Sequence, residues 1–247
     1  MRNLLLLFFI AVSLGVVACQ NAPRLDYAEL PHVVKKRQDL KEKLLQLQPE
    51  SLRSAAGQEA LWLADTAYKA AAAIARYNDP ILVNWLNNRA VNSRRNYRQR
   101  GLCWHYQHDL YRELRRRPLK YYELGCCLRD QGRGGEHHVV YVKAKSGKWP
   151  SILMLDAWWM SGRLVVEEAE DMEDWMDDPK CAARLNVIYP EGHKLPLEHW
   201  AMIRTGSSYG EYIYSDLPAA RNTAQWKYMQ KQMKKGLQAR KGKPFDY

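Results

Sequence analysis

Arg100-Gly101-Leu102-Cys103-Trp104-His105-Tyr106-Gln107-His108-Asp109-Leu110-Tyr111 is the stretch on which the rest of the chain turns. Gly101 closes a loop, and past Cys103 the pattern becomes helical. Leu102, Tyr106, Leu110 and Leu114 fall near one face, with Arg112, Glu113, Arg115, Arg116 and Arg117 mostly off it. Pro118 stops the run. Cys103 is therefore expected in the first turn of an amphipathic helix, where unpaired backbone N–H groups and the positive end of the macrodipole favour a sulfur anion. The plainer alternative is a buried structural cysteine on a core helix.

Downstream the period changes from 3.6 to 2. Residues 121–128, 137–144 and 152–156 are short runs rich in β-branched and aromatic residues, and 162–166 could add another. Gly132-Arg133-Gly134-Gly135 and Ser146-Gly147-Lys148 punctuate them as turns. With no βαβ alternation, the fold class expected is α+β, an N-terminal helical layer packed on a small antiparallel sheet.

Upstream, residues 31–48 carry Val33, Leu40, Leu44 and Leu47 on one stripe, and Pro49 ends them. An alanine-rich helix over about 54–76 is expected to bury Leu61, Ala64, Tyr68, Ala71, Ala72 and Ala75. Asp79-Pro80 restarts a shorter helix to about Asn92, followed by an arginine-rich loop. After the strands, 167–178 reads as an acidic helix with Met172, Trp175 and Met176 at its edge. Its spacing is not that of an EF-hand loop, so calcium is a weak alternative there. A strand over 185–189 and a helix over about 219–235 complete the domain, and residues 236–247 form a basic tail. The organisation expected is one domain over 31–235: helical layer 31–92, core 93–166, C-terminal elements 167–235.

Residues 1–19 stand apart. Arg2 is a short positive region, 4–17 are apolar, and a small residue precedes Cys19. Val16-Val17-Ala18-Cys19 resembles the bacterial lipobox, which implies a lipoprotein signal peptide and lipidation of Cys19; the alternative is a secretory peptide cut near Ala18. Residues 20–30 then form a tether. By the same analogy, Gln20 rather than Asp after the lipidated residue points to the periplasmic face of the outer membrane. The net charge of +11 suits anionic neighbours such as lipid headgroups, lipopolysaccharide or cell-wall polymer, and export makes nucleic acid an unsuitable partner. Export also permits a disulfide between Cys181 and either Cys126 or Cys127, which point to opposite faces of a strand. No cysteine or histidine spacing argues for a metal or other cofactor.

Three chemistry-bearing residues fall in order: Cys103 at a helix start, a histidine opening the strand His137-His138-Val139-Val140-Tyr141-Val142, and Asp156 ending Leu153-Met154-Leu155-Asp156. A thiol nucleophile needs a base, and the base needs a carboxylate to orient it. His137 shares its strand face with Val139, Tyr141 and Lys143, which turns polar; His138 shares its face with Val140, Val142 and Ala144, a core face. His137 is therefore the preferred base and His138 the alternative. His105 and His108 are expected at the surface or behind the reacting groups. Gly-Leu-Cys-Trp-His (101–105), Glu-His (136–137) before a valine-rich strand, and Leu-Asp-Ala-Trp (155–158) resemble the bacterial transglutaminase-like cysteine peptidase superfamily over roughly residues 97–166. The resemblance implies a papain-like core, Cys103 as nucleophile, His137 as acid/base, Asp156 as orienting carboxylate, and hydrolysis of peptides or amides or acyl transfer to an amine. Gln99 is a candidate oxyanion donor, and Trp104, Trp158 and Trp159 are candidate cleft walls. A rival of another class is a non-catalytic lipoprotein that binds peptidoglycan or lipopolysaccharide through its arginines and tail.

Overall fold

The computed structural model describes residues 23, 26–78, 101–131, 136–169 and 174–194, and a strand pair at 202–205 and 211–214. Residues 1–19 with Cys19, residues 20–22, 24 and 25 of the tether, the helix expected at 80–92, the arginine-rich loop with Gln99, the glycine turn at 132–135, the helix at 219–235 and the tail lie outside the described residues.

After a 3₁₀ turn at Tyr27–Glu29 come α1 (Pro31–Leu47), α2 (Glu50–Asn78) and α3 (Cys103–Leu114). Five strands follow: β1 (Tyr122–Arg129), β2 (His137–Ala144), β3 (Leu153–Asp156), β4 (Val165–Glu168) and β5 (Met176–Asp177). They form one antiparallel sheet in the order β4-β3-β2-β1-β5. Helix α4 (Pro179–Ile188) comes next, and β6 (Met202–Thr205) pairs with β7 (Glu211–Tyr214). The described chain is thus α+β, helices against an antiparallel sheet. None of its helices is long and apolar enough to cross a membrane.

The periodicities explain most of this. α1 buries Val33, Leu40 and Leu44 in the main core, with Leu47 packed at its margin. α2 buries Ala64, Tyr68, Ala71, Ala72 and Ala75 as expected, whereas Leu61 is exposed at 47%. The buried stripe runs instead through Ala56, Ala60, Leu63, Ala64 and Ala67, one position off. Its small residues admit a close neighbour: at Gly162, where φ is +90°, a Cβ would collide with Ala75 and with the carbonyl of Ala71. Both the conformation and the space require glycine there.

α3 is buried almost all round, between α2 and the sheet. It buries Arg112 and half-buries Arg115 and Arg116, which the spacing set off the apolar face. Arg112 is fully buried, and its guanidinium meets Glu113 at 2.6 Å and Asp109 at 3.9 Å. Arg115 donates to the Tyr189 carbonyl at 2.7 Å, and Arg116 pairs with Glu113 at 2.5 Å. These cations are spent inside the fold rather than on an outer field. His105 and His108, expected at the surface or behind the reacting groups, are buried, because they lie on the sides of a helix that has no solvent side.

Two further expectations fail after β3. The acidic segment is no helix where it is described: residues 167 and 168 belong to β4, and Trp175 leads into the two-residue strand β5. Burying Trp175 against the outer face of the sheet outweighs the helical spacing of Met172, Trp175 and Met176. Residues 185–188 are helical rather than extended. Asp178 caps α4 by accepting from the Cys181 N–H at 2.9 Å and Pro179 takes the first position, which sets Cys181, Leu185 and Tyr189 on one buried face.

The sheet divides the core. Cys126, Val140, Val142, Leu153 and Leu155 face the helices; Cys127, Val139, Tyr141, Ile152, Met154 and Trp175 form a second cluster on the other side. Gly125 lies opposite Tyr141, whose ring occupies the space a Cβ would need and whose hydroxyl donates to Asp177 at 2.9 Å. Gly125→Ala is expected to displace that ring and destabilise the fold by about 1–3 kcal/mol. Urea unfolding should show a lower midpoint at an unchanged slope; an unchanged midpoint would mean the ring has room to move.

One polar residue joins the layers. Glu59 on α2 is buried at 6%, and its carboxylate accepts the backbone N–H groups of Lys120, Tyr121 and Tyr122 at 2.8, 2.9 and 3.0 Å. Gln48 adds a hydrogen bond to the Tyr121 carbonyl at 2.9 Å.

Candidate active site

Asp156 ends β3 one step past the Leu155–Val140 pair, which sets it diagonally across from His137 on the same face of the sheet. His137 Nε2 lies 2.6 Å from Asp156 Oδ2. The other carboxylate oxygen, Oδ1, accepts the backbone N–H groups of Trp158 and Trp159 at 2.8 and 3.0 Å. Both oxygens are thus engaged, and the carboxylate cannot turn without breaking hydrogen bonds. Because Nε2 faces the carboxylate, Nδ1 is the nitrogen left for chemistry. It is buried and has no hydrogen-bond partner.

Cys103 opens α3 beside this ring. Its thiol lies 3.9 Å from the Glu136 carbonyl, at the chain position just before His137. The sulfur acts on His137 electrostatically, yet no tight bond joins it to Nδ1. The loop before α3 is tied to the end of β3 by Trp158, whose indole N–H donates to the Gly101 carbonyl at 2.9 Å. The start of α3 is held from within: His105 Nδ1 accepts the N–H groups of Gly101 and Leu102 at 3.2 and 2.9 Å. Gln107, one turn on, donates to the carbonyls of Val139 on β2 at 2.8 Å and Cys127 on β1 at 3.4 Å, anchoring the helix to the sheet.

Burial by itself would lower the pKa of His137. The charge and hydrogen bond of Asp156, with a smaller contribution from Cys103, overcome it and raise the pKa to about 10. The ring is therefore an imidazolium at neutral pH. The other thiols differ. Burial pushes Cys126 and Cys127 well above the ordinary thiol range, and for Cys126 the neighbouring Cys181 adds to it. Against the expected disulfide, Cys126, Cys127 and Cys181 are free thiols, with Cys181 directed at Gln107 and His108. Cys126 and Cys127 do face opposite sides of the sheet.

His138 lies elsewhere: its Nε2 is 2.9 Å from Glu136 Oε1. Trp104 is buried and stacks on His105, with ring centroids 3.5 Å apart. Trp158 is too committed to Gly101 to serve as an oxyanion donor, but its ring flanks His137 at 5.1 Å. Trp159 and Trp175 flank it at 6.1 and 5.7 Å, and Trp159 is about half exposed. Among the described residues, no group of three or more His, Cys, Asp or Glu is placed to hold a metal ion; the acidic run weighed for calcium is partly outside them.

Trp175 and Arg129 were not among the residues picked from sequence. Arg129 ends β1 directly opposite His137, and its guanidinium lies 5.2 Å from the Trp175 ring centre and 6.0 Å from that of Trp159. The available signal was the register: Arg129, eight residues before His137 across a turn, is where an antiparallel partner falls. Comparison with family models, curated proteins and solved structures found no match in any of the three.

Proposed function

We propose that this chain is a cysteine peptidase or amidase of the transglutaminase-like type, working through Cys103, His137 and Asp156 on a papain-like core. The observation that carries the reading is the imidazole of His137, pinned through Nε2 to a fully engaged carboxylate, with Cys103, at a helix start, close enough to help raise that ring's pKa. The reactive form is the one in which the Cys103 proton has passed to His137 Nδ1, leaving a sulfur anion beside an imidazolium. The sulfur attacks the carbonyl carbon of an amide. The oxygen that becomes anionic is met by the backbone N–H of Cys103 at the start of α3. His137 Nδ1 gives its proton to the leaving nitrogen as the C–N bond breaks, leaving a thioester. Water, deprotonated by the same nitrogen, then releases the acid and restores the pair. If an amine takes the place of water, the same thioester yields acyl transfer. The place of action we propose is the cell envelope, with the chain anchored through lipid on Cys19 and a protein or cell-wall peptide as substrate.

Cys103→Ala should abolish labelling by a thiol-directed amide probe without changing the unfolding midpoint. Labelling that persists in this variant would remove Cys103 from the chemistry. Product analysis with and without added amine separates hydrolysis from transfer.

A further inference from the structure

The reading above names no feature of the substrate beside the bond that breaks; the surroundings of His137 supply one. Arg129 is the cross-strand neighbour of His137 and sits between the rings of Trp159 and Trp175, which also flank that imidazole. The guanidinium is partly buried, and its Nε is fully buried without a hydrogen-bond partner. Among the described residues it makes no ion pair. Three carboxylates of the neighbouring segments have other partners: Asp156 meets His137 and two backbone N–H groups, Glu136 meets His138, and Asp177 accepts from the Tyr141 hydroxyl. Asp130, next in the chain, is exposed on a left-handed turn at φ +51°. A desolvated N–H of a permanent cation with no acceptor is costly to keep. Indole faces stabilise the charge of a guanidinium but accept none of its in-plane N–H groups, which stay available to a planar anion.

We propose that Arg129, framed by Trp159 and Trp175, binds a carboxylate on the substrate within about one residue of the scissile amide, so that the enzyme prefers acidic peptides. The proposal rests on Cys103 being the nucleophile. Two sources share this chemistry, a terminal carboxylate and an acidic side chain, and the test distinguishes them.

The probes are N-iodoacetylglycine, its neutral analogue N-iodoacetylglycinamide, and N-iodoacetyl-aspartate α-amide. Each alkylates a thiolate with loss of iodide, and the adduct on the Cys103 peptide is quantified by mass spectrometry in the full chain. The first should react about tenfold faster than the neutral analogue if the terminal carboxylate is bound, and the third if a side-chain carboxylate is bound, relative to the same ratio on free glutathione. Arg129→Gln should bring the acid-to-amide ratio to the glutathione value, and Arg129→Lys should retain part of it. Lys35→Gln, on exposed α1, removes the same charge at a distance and should leave the ratio as in the wild type. N-acetylglycine or N-acetyl-aspartate α-amide, but not N-acetylglycinamide, should slow labelling of the unaltered protein by the neutral probe, a readout that needs no variant. An acid-to-amide ratio equal to that of glutathione in the wild type, or unchanged in Arg129→Gln, overturns the subsite while leaving the nucleophile intact. Absence of any adduct on Cys103 with the neutral probe overturns the nucleophile, and the subsite with it.

Discussion

Asp156→Asn should lower turnover by roughly four orders of magnitude, the size of effect known for the same exchange in a serine-protease triad. The backbone explains why an isosteric change would cost so much. The N–H groups of Trp158 and Trp159 demand an acceptor, so the asparagine carbonyl must face them. Its amide nitrogen is then turned on His137 Nε2, which must become the acceptor. The ring proton moves to Nδ1, the nitrogen that should take a proton from sulfur. The same change removes the charge that holds the His137 pKa at about 10; burial is then opposed by Cys103 alone, and the value should fall well below that. A histidine NMR titration reads this directly. Stability carries the same signature. Because the folded-state value is raised, the stabilisation is fully present below pH 6.5 and fades as pH rises towards 10. The wild type should lose stability across that window, and Asp156→Asn should lack this decline. A variant that keeps a His137 pKa near 10, or turns over within tenfold of the wild type, would show that Asp156 does not orient the base.

The second large effect concerns stability alone. Glu59→Ala strands three backbone N–H groups at the start of β1, each costing about 1–3 kcal/mol when buried without an acceptor. Allowing for water reaching part of the gap, the loss should be about 3–6 kcal/mol, a large part of a domain's usual 5–15 kcal/mol. Glu59→Gln should be milder. One oxygen can still serve Tyr121 and Tyr122, and only the Lys120 N–H meets a donor in place of an acceptor. Denaturant midpoints should fall in the order wild type, Gln, Ala. A Glu59→Ala protein within 1 kcal/mol of the wild type would mean that the layers are held by packing instead.

Glu59 also marks where sequence reading stops. The β-branched and aromatic run over 137–144 located β2 to the residue, and the i, i+4 spacing of Leu102, Tyr106, Leu110 and Leu114 located α3, because each is a local pattern. The order Cys103, His137, Asp156 was legible for the same reason: each residue ends or opens an element whose period could be read. Glu59 looked like an ordinary helix charge, since its partners are 61–63 residues away. The burial of Arg112, and the choice between surface and buried places for His105 and His108, could not be read because a helix enclosed on every side has no local signature when polar partners satisfy its polar groups. The strand expected over 185–189 hid a helix whose start lay in plain view at Asp178-Pro179. Trp175 was assigned by spacing when the decisive term was the second cluster beneath the sheet.

The cap inside α3 has a consequence of its own. His105 receives both loop amides on Nδ1, so its single proton must sit on Nε2 and the ring must be neutral. A second proton would fall where those amides point and would expel them. The first turn that presents the sulfur therefore depends on an uncharged imidazole two residues further on, and acidification should loosen the seat of Cys103 before it unfolds the rest of the molecule.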